Sequence, residues 1–167
     1  MVALARSATA QVTLPTDTQI RIVRAFDAPR ALVWQAYTTP ELVARWWAGR
    51  RGAVTSAEID LRVGGTWRYV MVAHEGFEVA FHGAFREIVP EERLVTTEVY
   101  EGAGPDAEAA LVTTTFTVEG ARTVLDQVME VSSREVRDMI LSTGMEDGMQ
   151  ESYDALEAVA AELTEPA

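Results

Sequence analysis

The side chains best suited to acid–base or metal chemistry lie in one short stretch, HEGFEVAFH. It holds the only two histidines, His74 and His82, together with Glu75 and Glu78. A structural metal site needs three or four converging ligands, and the absence of cysteine removes thiolate ligands, disulfides and thiol catalysis. Because a straight strand separates the two histidines by about 26 Å, we predict that they share no metal ion.

His82 alone is the second chemical candidate, since histidine titrates near neutrality and suits a general base at the wall of a cavity. Its parity along the strand is opposite to that of Phe81, which favours an exposed position instead. No Ser-His-Asp set, P-loop, dinucleotide fingerprint or kinase motif accompanies it. We therefore predict no cofactor and assign no catalytic residue.

A third set of residues suits binding. The two-residue period of a strand places Trp67, Tyr69 and Met71 on one face, and it places Phe81 on one face with Phe85. If these faces point inward, they line an aromatic cavity in which Tyr69 and Gln127 are polar markers, as in most small-molecule sites. The alternative is a filled core whose polar groups are satisfied internally.

The segment GMEDGMQESYDALEAVAAEL, residues 144–163, predicts a long helix with one apolar stripe. Gly148 is unexpected there, since glycine in a helix costs about 1 kcal/mol against alanine. It indicates a close approach of another group or of a ligand, or plain close packing on the strands. The predicted ligand-binding set combines both sources: Trp67, Tyr69, Met71, Phe81, Gln127, Met129, Met149 and Tyr153.

Composition limits the class of protein. The chain has 167 residues, a formal net charge of −12 and fourteen basic residues that are all arginine. Such an acidic chain argues against binding to nucleic acid or to anionic membranes. No apolar run reaches the roughly 20 residues of a membrane span, and the N-terminus is a poor secretory signal. We expect a cytoplasmic protein with one domain over residues 18–163, a flexible arm over 1–17 and a tail over 164–167.

The elements that must position these residues follow from periodicity. A strand over 18–26 is followed by two short helices, then by strands in meander order with short turns, and finally by the long helix. This order predicts an α+β fold of the helix-grip type. A curved antiparallel sheet of six to seven strands wraps around the C-terminal helix, and two short helices follow the first strand.

Four segments in this order carry a resemblance: RAFDAPRALVWQAYTTPELVARWW, DLRVGGTWRYVM, FHGAFREIVPEERLVTTEVYE and TGMEDGMQESYDAL. Together they resemble the SRPBCC (START-like, Bet v 1-like) superfamily over residues 18–163. The most similar branch is the bacterial proteins related to the C-terminal domain of the activator of Hsp90 ATPase. The resemblance implies the helix-grip fold with a cavity between sheet and helix. Members of the superfamily bind lipids, hormones and polyketides, and a few cyclise or hydrolyse them.

Three functions follow as hypotheses, because a shared fold does not fix a reaction. The preferred one is binding of a small apolar or aromatic molecule in the cavity. The alternatives are a cyclase- or hydrolase-like enzyme that uses the same cavity, and a co-chaperone-like interaction module suggested by the family alone. The sequence identifies neither the ligand nor the oligomeric state, and a homodimer is compatible with it.

Overall fold

The structure is a computed structural model that describes residues 9–163. In this range the chain forms eight strands, four α-helices and a short 3-10 helix over Glu101–Ala103. The strands are β1 (Gln11–Thr13), β2 (Gln19–Phe26), β3 (Gly52–Ile59), β4 (Thr66–Ala73), β5 (Glu78–Val89), β6 (Arg93–Tyr100), β7 (Ala110–Glu119) and β8 (Arg122–Glu130). The helices are α1 (Arg30–Thr38), α2 (Pro40–Trp46), α3 (Arg134–Ser142) and α4 (Met145–Leu163).

All the strands belong to one antiparallel sheet with the order β1-β2-β8-β7-β6-β5-β4-β3. From β3 to β8 each strand pairs with the next one along the chain, which confirms the predicted meander. β2 pairs with β8, from Gln19 opposite Glu130 to Phe26 opposite Thr123. The α+β helix-grip prediction is confirmed, with eight strands in the described range instead of six to seven.

The additional strand, β1, lies in the segment that was expected to be an arm. Residues 11–13 pair with residues 21–23 of β2. The start of β1 is tied to α4, because the backbone of Ala10 exchanges two hydrogen bonds with the Gln150 side chain, at 3.0 and 2.9 Å. Residues 1–8 of the predicted arm and residues 164–167 of the predicted tail lie outside the described residues.

The long helix α4 packs its apolar stripe into the main core. Tyr153, Leu156, Val159 and Ala160 are buried there with inward residues of the sheet and of the two short helices. Its length of 19 residues corresponds to about 28 Å, enough to cross the sheet as predicted. No helix within residues 9–163 is long and apolar enough to span a membrane.

A buried arginine fixes α4 to the sheet. Arg24 on β2 is 1% exposed, and its guanidinium bonds Asp154 at 3.0 Å and Glu157 at 3.1 Å. The same guanidinium lies 4.9 Å from the centre of the Phe26 ring. A buried cation needs partners of this kind to offset its desolvation, so the pairing sets the position of α4 over β2.

Gly148 is explained by a side chain rather than by a ligand. A Cβ at Gly148 would lie 2.6 Å from the Arg51 guanidinium carbon. The Arg51 Nη2 donates to the carbonyl of Gly144 at 2.9 Å, at the residue preceding α4. The guanidinium therefore lies flat on the first turn of α4, and glycine gives it room.

Candidate functional site

Five aromatic rings contact one another at the inward face of β4 and β5. We define this aromatic array as Trp67 and Tyr69 of β4, Phe81 of β5, Trp47 after α2 and the exposed Tyr100 at the end of β6. The ring centres of Trp67 and Tyr69 are 4.8 Å apart, and those of Phe81 and Tyr100 are 5.1 Å apart. Trp47, directly after α2, contacts Tyr69 and Phe81 edge to face at 5.4 and 5.7 Å. The inward orientation on which the binding hypothesis depends is therefore seen for Trp67, Tyr69 and Phe81, which pack with the main core.

A glycine lets this array pack closely on the next strand. The Trp67 indole nitrogen donates to the carbonyl of Thr97 on β6 at 3.2 Å. Gly83 lies between them on β5, where a Cβ would be 1.8 Å from the Thr97 oxygen and 2.7 Å from the indole nitrogen. Any side chain at this position would separate the strands.

A buried polar network lies beside the array. The Gln127 side-chain amide donates to the Tyr37 hydroxyl and to the Thr114 hydroxyl, both at 3.0 Å. The Tyr153 hydroxyl approaches the Gln127 carbonyl oxygen at 3.5 Å. These contacts join α1, β7, β8 and α4, so the network fixes the helices relative to the sheet. It also satisfies Gln127, the polar marker predicted from the sequence.

The most unusual group of the interior is Glu98 on β6, which the sequence analysis did not single out. Leu94 on the same strand is buried in the core, and the two-residue period places Glu98 on that inward side. Its register partner on β7, Ala110, also packs against the core. From the sequence, a glutamate in a strand with polar neighbours would be assigned to the surface. Only the two-residue alternation counted from the apolar Leu94 could have indicated that the Glu98 side chain points inward.

Burial raises the pKa of Glu98 to about 7, because the ionised carboxylate loses hydration inside the protein. Three inward tyrosines also have a raised pKa: Tyr37, Tyr69 and Tyr153. Burial is the main cause for each, and the negative charge of Glu98 adds to it. These hydroxyls are therefore neutral at physiological pH. We define the inner site as Tyr37, Tyr69, Phe81, Glu98, Gln127 and Tyr153.

The Glu98 carboxylate differs from the other enclosed polar groups. Every fully buried side-chain nitrogen or oxygen in residues 9–163 has a hydrogen-bond partner. No described residue makes a hydrogen bond or ion pair with the Glu98 side chain, which nevertheless keeps part of its surface accessible. Glu98 is thus an unpaired carboxylate on the inward side of β6, in a residue that is only partly buried.

Burial is uneven across the sheet–helix interface. On β2 and β8, Ile20 and Leu125 are 0% exposed. On β4, β5 and β6, the inward side chains of Tyr69, Phe81 and Glu98 are only half-buried. The residues of α3 and early α4 that pack against the core are also only partly buried: Ile140, Leu141, Met145 and Met149.

The remaining members of the predicted binding set are distributed over the same interface. Met129 on β8 is buried in the main core, and Met149 on α4 packs against it. Met71 lies instead in a small separate cluster with Ala48 and Ala73. The contacts within the described residues thus associate seven of the eight predicted residues with the main core and place Met71 apart from it.

His82, the sequence candidate for a general base, lies on the outer face of the sheet. It is exposed, and its Nδ1 lies 2.8 Å from a carboxylate oxygen of Glu101, which Arg68 also holds at 2.8 and 2.9 Å. Hydrogen bonds from Arg68 and His82 lower the pKa of Glu101 to about 2. The proposed position of His82 at the cavity wall is therefore wrong, and the alternative of an exposed position is confirmed.

An open depression of about 600 Å³ adjoins His82, with Glu101, Val99 and the loop at Gly104 along its wall. Its acidic group is already paired with Arg68 and His82. The other histidine, His74, bonds the backbone carbonyl of Arg50 at 2.9 Å. Among the described residues, no three His, Asp or Glu side chains cluster closely enough to hold a metal ion.

Solved structures with the same fold come from several bacteria. A Rhodobacter sphaeroides protein is 26% identical, with a TM-score of 0.83 over 91% of this chain and 98% of that chain. A Chromobacterium violaceum protein is 28% identical, with a TM-score of 0.75 over 87% and 98%. An AHSA1-like protein from Aeromonas hydrophila is 20% identical, with a TM-score of 0.63 over 86% and 94%, and shares the fold.

None of the curated proteins compared with the chain matches it. Residues 27–161 match the family model described as Activator of Hsp90 ATPase homolog 1-like protein. This range includes α1 and α2, the sheet from β3 to β8, α3 and nearly all of α4. The chain therefore belongs to the Activator of Hsp90 ATPase homolog 1-like family.

Proposed function

We propose that the protein binds a small apolar or aromatic molecule between the sheet and α4, at the inner site. The observation that supports this proposal is the uneven burial of the inward side chains along the interface. Tyr69, Phe81 and Glu98 point inward but retain accessible surface, whereas the inward residues of β2 and β8 retain almost none. Inward side chains of a filled core are normally fully enclosed, so partly accessible aromatic and polar side chains on the inward face favour a ligand site.

The lining proposed for this site is the predicted set together with Glu98, without Met71, which lies in the separate cluster. The aromatic array would supply the apolar wall, and Met149 an adaptable one, since methionine fills irregular spaces. Gln127 and the tyrosine hydroxyls would orient a polar group of the ligand. The proposal also includes a cytoplasmic location of the protein and its association as a homodimer.

An enzyme is the second candidate, and Glu98 is the observation in its favour. A carboxyl group with a pKa of about 7 is matched to general acid–base work near neutrality. We prefer binding, because the three tyrosines that sense the charge of Glu98 are neutral and His82 lies on the outer face. Binding needs only an oriented carboxyl group, whereas turnover would need a second reactive group, which we do not assign.

The test uses an environment-sensitive apolar dye, such as an anilinonaphthalene sulfonamide without formal charge. The dye should bind the native protein, and Met149→Trp should weaken it about tenfold or more, because the larger ring fills the proposed space. Met139→Trp is the matched control, since Met139 on α3 is 64% exposed. Equal dye affinity in the wild type and both variants would contradict a binding site under Met149.

A further inference from the structure

We propose that the inner site selects a ligand with an ammonium group, placed against the Glu98 carboxylate, while the apolar part of the ligand packs on the aromatic array. This inference rests on the binding function proposed above and adds the charge and polarity of the ligand. The probe class is a small aromatic amine that is protonated near neutral pH.

The first argument is the missing partner of Glu98. Other acidic groups tied into the fold are paired: Arg24 holds Asp154 and Glu157, and Arg68 holds Glu101. Glu98 has no hydrogen bond or ion pair with any described residue. A carboxylate that is enclosed but accessible gains most from a partner that brings a positive charge and N–H donors.

The second argument is the charge of the inward groups on which the charge of Glu98 acts. They are Tyr37 from α1, Tyr69 from β4 and Tyr153 from α4, and burial keeps these hydroxyls neutral by raising the pKa of each. Arg24 on β2 influences Tyr153 but is committed to Asp154 and Glu157. Among the described residues, no cation contributes to the pKa of Glu98. The ligand is then the source of positive charge.

The third argument is the surrounding aromatic surface. The five rings of the aromatic array have successive centre-to-centre distances between 4.8 and 5.7 Å. Rings that present their faces attract an ammonium group by about 0.5–2 kcal/mol, and aromatic cages with this chemistry bind organic cations. A carboxylate on the same inward side of the sheet as these rings adds a preference for a cation over a neutral ligand of equal size.

The net charge of the protein also favours a cation, and it acts at long range. The formal net charge of −12 creates a negative potential that raises the local concentration of cations and repels anions. An anionic ligand would have to overcome both this field and the charge of Glu98. The overall charge and the site therefore favour the same sign of ligand.

The experiment compares two probes of nearly equal size, naphthylethylamine and naphthylethanol, by titration calorimetry with the full chain. At about pH 8 the amine should bind the wild type at least tenfold more tightly than the alcohol. In Glu98→Gln the preference should fall to threefold or less. Glu108→Gln removes one acidic group from the exposed loop before β7, and it should keep the preference of the wild type.

The wild type also provides a test that needs no variant. In the protein without ligand, the pKa of Glu98 is about 7, so its ionised fraction falls about tenfold when the pH is lowered from about 8 to about 6. Amine affinity should fall by the same factor, and alcohol affinity should stay nearly unchanged. Equal affinities for amine and alcohol, or a preference that persists in Glu98→Gln, would overturn the inference. Binding of the alcohol and the dye without amine preference would leave the proposed function intact. Failure of all three probes would refute both.

Discussion

The most direct physical consequence of the inner site is that Glu98 makes the protein less stable as the pH rises. The unfolded chain releases the Glu98 proton near pH 4.5, whereas the folded protein retains it until about pH 7. The neutral carboxyl group stabilises the fold fully below the pKa that Glu98 has in the unfolded chain. This stabilisation is lost as the pH rises through the pKa that Glu98 has in the folded protein. Linkage converts this shift into a loss of about 2.5 kcal/mol between pH 5 and pH 8.

Urea denaturation of the wild type and Glu98→Gln across that range measures this loss. The wild type should become less stable relative to Glu98→Gln by about 2.5 kcal/mol as the pH rises, since glutamine has the same shape and does not ionise. The comparison with Glu98→Gln cancels the contributions of the other acidic residues. Glu108→Gln, exposed in the loop before β7, controls for the loss of a negative charge.

If the difference between wild type and Glu98→Gln changes by less than about 0.5 kcal/mol from pH 5 to pH 8, within the error of denaturant extrapolation, the carboxyl group is hydrated like one in the unfolded chain. The same change in Glu108→Gln as in Glu98→Gln would assign the effect to net charge instead.

Two further predictions concern glycines, and urea denaturation measures both. Gly83→Ala should destabilise the protein by about 2 kcal/mol or more, because the new Cβ meets the Thr97 carbonyl oxygen; wild-type stability would contradict the close approach of β5 and β6. Gly148→Ala should change stability by less than about 0.5 kcal/mol, since the helical gain is offset by displacing Arg51. In an Arg51→Ala background the same change should stabilise by about 1 kcal/mol; equal effects in both backgrounds would mean that Arg51 is not the reason for glycine.

The sequence predicts the parts of the fold that depend on periodicity. The two-residue period of TWRYVMVA placed Trp67 and Tyr69 on one face, and the helical period placed Tyr153 on the stripe of α4. Both follow from local geometry and need no knowledge of distant contacts. The meander order was predictable for the same reason, because short turns join neighbouring antiparallel strands.

What the sequence could not give depends on pairing between distant segments. β1 forms because residues 11–13 pair with the edge of β2 and because the backbone of Ala10 hydrogen-bonds to the side chain of Gln150, which is distant along the chain. Glu98 and Arg24 are charged residues in strands and would ordinarily be assigned to a solvated face. Arg24 points inward because α4 brings two carboxylates to it, and Glu98 points inward with no such partner.

The contrast between Glu98 and Glu101 bears on function because the two residues lie three positions apart. Glu101 is held on the outer face by Arg68 and His82, and its pKa falls to about 2, so its ionised form is stabilised. Arg68 and His82 therefore pair with the carboxylate of Glu101, whereas no described residue pairs with that of Glu98. Uncompensated burial of a charged group works against stability, and such conflicts between local chemistry and stability concentrate at functional sites. A ligand cation would remove the conflict, since it would bring the missing charge to an inward carboxylate that no described residue pairs.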